Sequence, residues 1–417
     1  MRYVFGAIGL IGCVLGFWLA YRTGQARLLV NDRKDAALFS ATGEAIRLSP
    51  FDPEVHYARA MVLWRMRRFP DAVRSYEQVV KLRPRDYVPW LDLGSARERA
   101  GDKVGALAAY ENSVQLSPHY ALPRRELGKV LLELGRTDDG FAQLRLAARS
   151  NPTFLREVIE KAWETYGGDA NAVRNAIQPQ NDVSRVALAD FFTRVGVMDH
   201  ALELMKSVNG AVADKRYLMM VELIEARRYA DAANLWRLGG ESVEKAVIND
   251  GGFETGGFLP GGFGWQIIPQ LDGSQIVLDK RISETGKNSL RLDFEGNTNS
   301  ETQFVRQLVL LEERTRYRLS FSIRTEDLVS GGLPLAVVTE ASTQGTLLGK
   351  SNVVPSGTSD WQTYSLEFET TKETEAAFIT IQRQRCGEAT CSIFGRLWLD
   401  NFSLTRLGAV EPRQSIT

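Results

Sequence analysis

Few residues in this chain have the types and spacing that chemistry needs. His56, His119 and His200 are its three histidines, and all lie in stretches with a helical pattern. A histidine-ligated zinc site or a Ser-His-Asp triad in the C-terminal part is therefore hard to build, since both use imidazole. Glycoside cleavage would need two carboxylates facing each other across a cleft. Acidic residues are plentiful, but the only space for a catalytic domain is filled by repeats. We read the chain as non-catalytic, in preference to a glycan-active enzyme. Cys386 and Cys391 bound the string CGEATC. A disulfide can close that gap if the backbone turns there. Two free thiols are the alternative, favoured if the domain is cytosolic. The 51 basic and 51 acidic side chains cancel. No basic cluster with interleaved aromatics is present, which argues against a nucleic-acid partner.

The elements that hold these residues change along the chain. Its 417 residues are enough for several domains. Residues 3–21, YVFGAIGLIGCVLGFWLAY, carry no charge and sit between Arg2 and Arg22. As a helix they span about 28 Å, close to the hydrocarbon thickness of a bilayer. Aromatic residues at both ends suit the two interfaces. We read residues 1–22 as a transmembrane signal anchor, against a lipoprotein signal suggested by LIGC at Leu10–Cys13 and a cleaved leader. Arg22, Arg27, Arg33 and Lys34 follow the span and on the positive-inside count favour a cytoplasmic C-terminal side. The candidate disulfide and the C-terminal domain type favour the outside. We expect a single-pass protein of a bacterial-type inner (plasma) membrane with periplasmic or extracellular soluble domains.

Pro50, Pro84, Pro118 and Pro152 end the strings RLSP, KLRP, QLSP and RSNP, three successive steps of 34 residues. Trp90, Leu93 and Gly94 spell W-x2-L-G, and Ala106, Tyr110 and Pro118 follow in step. Ala60, Ala72, Tyr76 and Pro84 fill the same slots one repeat earlier; Leu127, Gly128, Leu144, Ala147 and Pro152 fill them one repeat later. Residues 36–152 thus resemble the tetratricopeptide repeat family, whose period this is. Small residues at Ala60, Gly94 and Gly128 let paired helices approach. Tyr76 and Tyr110 fill the space between repeats, and each proline ends a helix. Arg97 and Gly140 depart from the family pattern. Residues 23–152 form the clear repeats and 153–244 degenerate ones, about six units in all, beginning with a half-repeat. The resemblance implies a solenoid whose concave groove binds a protein partner.

From residue 249 the apolar period falls from 3.6 to 2. NSLRLDF, YRLSFSIR and WQTYSLEFET each alternate apolar and polar residues. Eight to ten such strands without intervening helices predict a β-sandwich over 245–408, followed by a tail at 409–417. The ordered set NDGGFETG…GW, SLRL, RYRLSFSIR, SDWQTYSLEF and GRLWLDNFSL resembles the jelly-roll carbohydrate-binding modules of families four, nine and twenty-two. The fold class is therefore multidomain: a transmembrane helix, an all-α solenoid and an all-β jelly roll. INDGGFETGGFLPGGFGWQI (248–267) is then the first strand and loop of the jelly roll, with Trp265 opening the next strand.

The resemblance also implies sites. Glu254 and Asp400 match positions that help to hold a structural calcium, with main-chain carbonyls as further ligands. Gln307, Arg318, Arg324 and Gln382 are the polar candidates for a sugar-binding face. Phe378 and Trp265 are its aromatic candidates, and Arg383 and Arg385 lie at the rim of the cysteine loop. Trp361 and Trp398 match core positions. The function expected is a membrane-anchored envelope scaffold. Its solenoid holds a protein and its jelly roll a glycan, as in surface polysaccharide assembly or export. The alternative is a purely protein-binding adaptor with a structural jelly roll.

Overall fold

The computed structural model describes residues 2–30, 35–208, 213–240, 243–255, 262–267, 273–296, 303–341, 345–386 and 391–410. The side chains of 2–11, 35–36 and 213–214 lie outside that description. Two compact units, Met1–Leu188 and Ala189–Thr417, make up the chain.

Capping residues set the helix boundaries of the first unit. It contains α1 (Arg2–Val30), α2 (Asp35–Leu48), α3 (Pro53–Arg65), α4 (Phe69–Leu82), α5 (Tyr87–Arg99), α6 (Lys103–Leu116), α7 (Ala121–Glu133), α8 (Thr137–Ser150), α9 (Leu155–Thr165) and α10 (Ala170–Ile177). Asp52, Asp86 and Asp102 accept hydrogen bonds from the first-turn amides of α3, α5 and α6, satisfying donors that have no helical partner. Within the pairs, small residues permit close approach: a Cβ on Gly94 would lie 2.5 Å from the Tyr110 ring. Tyr110 is wholly buried and Tyr76 nearly so. The turns repeat as well. Arg67, Gly101 and Gly135, each 34 residues from the next, adopt left-handed φ of 56°, 86° and 78°.

The expected half-repeat is completed by α1. Its C-terminal part packs on α2 and α3 through Ala26, Ala45 and Val55, and Arg27 pairs with Asp52 at 2.8 Å. Among the described residues no helix is long and apolar enough to cross a membrane. The first half of the expected span has its side chains outside the described residues.

The second unit begins inside α11 (Asp182–Val195) and continues through α12 (Met198–Lys206), α13 (Ala213–Glu225) and α14 (Tyr229–Arg237) into two antiparallel sheets. One sheet is ordered β1 (Gln266–Ile267), β4 (Gln303–Leu310), β9 (Ala376–Arg383), β6 (Pro334–Glu340), β7 (Leu347–Lys350). The other is ordered β2 (Ser274–Asp279), β3 (Ser289–Gly296), β10 (Ile393–Ala409), β5 (Thr315–Ser330), β8 (Gly357–Glu369). Leu290, Leu292, Tyr317, Phe321, Ile379, Ile381 and Leu399 form part of the core between them, which buries one side of each strand.

The opening segment corrects one expectation. Residues 249–252 form turns and 253–255 are irregular rather than a strand, with Asp250 and Phe253 at left-handed φ of 51° and 58°. Side-chain burial fixes the segment instead. The Phe253 and Trp265 rings lie 5.2 Å apart, Trp265 meets Phe402 at 4.8 Å, and all three are buried. Phe258 falls outside the described residues.

Candidate functional site

In the solenoid, one repeat position is used three times for the same bond. The side chains of His56, Trp90 and Arg124 each bond the carbonyl of the proline six residues earlier. These are Pro50 at 2.8 Å, Pro84 at 3.0 Å and Pro118 at 2.8 Å. The repeat dictates the geometry and leaves the donor free to vary. Trp90 is thereby structural. Arg97, in the slot that usually holds an aromatic, bonds Glu77 at 2.9 Å and the Gly105 carbonyl at 3.0 Å.

Polar side chains of α5, α7 and α9 line a cavity of about 290 Å³ that includes Glu98, Lys129, Glu133, Glu157 and Lys161. Lys129 pairs with Glu157 at 3.1 Å, and Lys103 with Glu133 at 2.9 Å. In the same row of helices, Tyr57 donates to Asp92 at 2.5 Å. Burial pushes the Asp92 carboxyl up, against the pull of that hydrogen bond.

In the sandwich, the residues expected to read a sugar fall into three places. Trp265, Gln307 and Arg383 are buried. Trp265 packs in the core and donates its indole N–H to the Asp250 carbonyl at 3.0 Å. Gln307 takes the Asn249 amide at 2.9 Å and returns a bond to the Asn249 carbonyl at 2.8 Å, substituting for a strand partner. Arg383 ties the Gly332 carbonyl (3.1 Å), the Ser330 hydroxyl (2.8 Å) and the Cys391 carbonyl (2.7 Å) together. It stands beneath the Cys386–Cys391 disulfide, while Arg385 is exposed.

Phe378 and Gln382 occupy the outward side of the β4–β9–β6 sheet. Phe378 is flanked by Leu308 and Thr339 and carries the Arg306 guanidinium 4.9 Å above its ring. Arg318 and Arg324 lie on the opposite sheet, paired with Glu367 at 2.6 Å and Asp360 at 3.0 Å. The structure therefore does not gather the seven into one site. Sequence reasoning also passed over the group around Trp398. Its indole donates to Asp279 at 3.0 Å, Arg291 bridges Asp279 and Asp293, and Arg324 lies over the ring at 5.9 Å. Burial pushes the Asp279 carboxyl up, but bonds from Trp398, the Arg281 amide and Arg291 outweigh it and hold the group below the usual range.

The outward side of the β4–β9–β6 sheet is not open. Leu308 is 1 %, Thr380 3 % and Val337 6 % exposed, although each points away from the core. Helices of the same unit reach the segment beside it. Trp236 meets Phe263 edge to face, ring centroids 6.0 Å apart. A Cβ on Gly262 would lie 2.5 Å from both Met220 and Trp236. At the other end of α14, Tyr229 is buried, and burial pushes its hydroxyl pKa up. These contacts bring α13 and α14 against the segment that leads into β1, the edge neighbour of β4.

Glu254 and Asp400 do lie together, on either side of Gly252. Asp400 Oδ2 accepts the Glu284 and Thr285 amides at 2.9 and 3.2 Å, and Oδ1 the Asn401 amide at 2.7 Å. Glu254 Oε1 accepts the Lys287 and Asn288 amides at 2.8 and 3.1 Å. The two carboxylates thus clamp one loop. Burial holds the Asp400 carboxyl above its ordinary value, opposed by its amide bonds. Two carboxylates fall short of the oxygens calcium takes, about six to eight. Among the described residues no group of three His, Cys, Asp or Glu suited to a metal is present. The pair fits calcium only with main-chain carbonyls as the remaining ligands.

Residues 57–121 and 91–153 match the tetratricopeptide repeat family model. Over 114 residues, 26 % of this chain, the sequence is 30 % identical to the human protein O-mannosyl-transferase TMTC1 and covers 13 % of it. A 94-residue stretch is 31 % identical to the mouse protein and covers 10 % of that one. The chain thus spans only a small part of the curated relatives it matches. Among solved structures, MamA from Desulfovibrio magneticus RS-1 is 17 % identical at a TM-score of 0.33, covering 39 % of this chain and 97 % of that one. A CBM4 structure is 13 % identical at a TM-score of 0.29, covering 38 % and 99 %. The helical part carries tetratricopeptide repeats, and the C-terminal part is a β-sandwich.

Proposed function

We propose that this protein is a non-catalytic interaction scaffold whose solenoid holds a protein partner and whose β-sandwich is a structural end piece joined to the last helices. One observation carries this choice: the outward face of the β4–β9–β6 sheet is buried, with Leu308, Thr380 and Val337 almost wholly covered. A sugar-reading face has to be open to a polymer. The narrower reading, in which the sandwich also binds a surface polysaccharide during assembly or export at the envelope, keeps Arg318 and Arg324 on an open face and rests on the sequence resemblance.

We propose further that α1 attaches the scaffold to an inner (plasma) membrane, with the folded units outside the cytoplasm. The uncharged run at 3–21 supports this, as does the exposure of Phe17 (77 %) and Leu15 (55 %) on α1. The disulfide supports an oxidising compartment. A structural calcium between Glu254 and Asp400 belongs to the same proposal.

Photo-cross-linking of the full chain in its native cells tests the scaffold. A photoreactive residue at Lys129 should give a discrete protein adduct, and one at Arg316 on the second sheet should give none. Adducts from Arg316 alone would overturn the reading.

A further inference from the structure

We propose that the cleft between α8, α10 and the start of α11 binds an acidic peptide segment that carries an apolar side chain, an inference that rests on the scaffold reading. The cavity holds about 430 Å³ and is lined by Arg145, Arg149, Leu155, Val158, Ile177 and Val183 among others. That volume lies in the range of ligand pockets, about 300–1,000 Å³.

The charges in it are one-sided. No acidic side chain lines the cleft. Arg145 donates to the Ala176 carbonyl and Arg149 to the Gln180 side-chain oxygen, both at 2.7 Å and both neutral acceptors. Asp182, next to the lining residues in sequence, is paired with Arg185 at 2.9 Å. Elsewhere in this unit arginines meet carboxylates, as in Arg27–Asp52, Arg83–Glu54 and Arg97–Glu77. Among the described residues neither Arg145 nor Arg149 has a carboxylate in ion-pair reach.

The electrostatics point the same way. Burial, and then the like charge of Arg149, make the Arg145 guanidinium easier to deprotonate than usual, with Asp138 and Tyr166 opposing. A carboxylate in the cleft would relieve that repulsion. Arg145 also closes the C-terminal end of α10, but this engages only one of the five N–H donors a guanidinium carries. The others remain suited to a carboxylate, which arginine holds by two parallel bonds. The apolar walls favour a peptide over a small inorganic anion, since they have area to bury an aliphatic side chain.

Selection of displayed twelve-residue peptides on the full-length protein tests this, with Arg149→Glu as counter-target. Arg149 is exposed, so the variant should keep the wild-type circular dichroism and melting point. The expected winners join acidic and apolar residues and bind the Arg149→Glu protein at least tenfold more weakly, with affinity falling as salt rises. Versions with a free and an amidated C-terminus distinguish a terminal carboxylate from Asp or Glu side chains. Peptides that bind both proteins equally would overturn this cleft while leaving the scaffold standing. No enrichment on either protein would count against both.

Discussion

Trp236 of α14 stands edge to face against Phe263, ring centroids 6.0 Å apart and planes at 73°. The contact joins the last helix of the repeat region to the segment that leads into the sandwich. It also explains why Gly262 is glycine: its φ is +78°, and a Cβ would meet both Trp236 and Met220. Trp236→Ala should cost about 3–5 kcal/mol, the usual range for emptying a buried aromatic site. Gly262→Ala should also destabilise. Chemical denaturation of the full chain should report both through unfolding of the second unit alone. Losses confined to the first unit would contradict the packing described.

The left-handed turn position makes a paired prediction. A non-glycine residue in that conformation costs about 1–2 kcal/mol. Gly101→Ala should therefore destabilise by about that amount. Arg67→Gly should stabilise by less, because glycine also frees the unfolded chain. Urea unfolding measures both, and the same sign for the two substitutions would refute the assignment.

Asp279 makes the sandwich sensitive to acid. Its folded pKa lies below that of the unfolded chain, which is about 3.9. Its contribution is fully present above that value and is lost as pH falls through the lower folded value. Asp279→Asn should lower the melting point at pH 7 and shrink the gap to wild type at the acid end. Asp400 carries the opposite sign. Its raised pKa means the ionised form is held at a cost, and protonation in the fold offsets that cost as pH falls. A gap for Asp279→Asn that is constant with pH would show the carboxylate charge to be irrelevant.

Calcium gives a direct test of the loop clamp. A binder of the folded state alone raises stability by RT ln(1 + [L]/Kd). Calcium at about one hundred times Kd should therefore add about 2.7 kcal/mol. Glu254→Gln and Asp400→Asn should abolish the shift. A melting point unmoved by calcium or chelator would leave the two carboxylates as loop clamps only.

The sequence made the period of the repeats legible, because prolines and small residues sit at fixed slots. Strand alternation likewise exposed the β-sandwich. It did not separate Trp265, a core residue, from an exposed loop aromatic, since glycines surround it in either case. Nor did it reveal that Gln307 and Arg383 are buried, because each is satisfied by main-chain partners distant in sequence. A signal for the covered face was present all the same. PLAVVTE and AAFITIQR are apolar at successive positions, the pattern of strands buried on both sides. Alternating strands such as YRLSFSIR have one open face, and the second sheet has one.

Thiol labelling at Thr380 tests most directly whether that face is closed. In a Cys13→Ser background, Thr380→Cys places a thiol on the outward side of β9 and Thr363→Cys places one on the open side of β8. Thr380 is 3 % exposed and Thr363 is exposed. The expected result is slow maleimide labelling at position 380 and fast labelling at 363. Equal, fast labelling at both positions in the folded protein would show the face to be open and return the sandwich to the sugar-reading role.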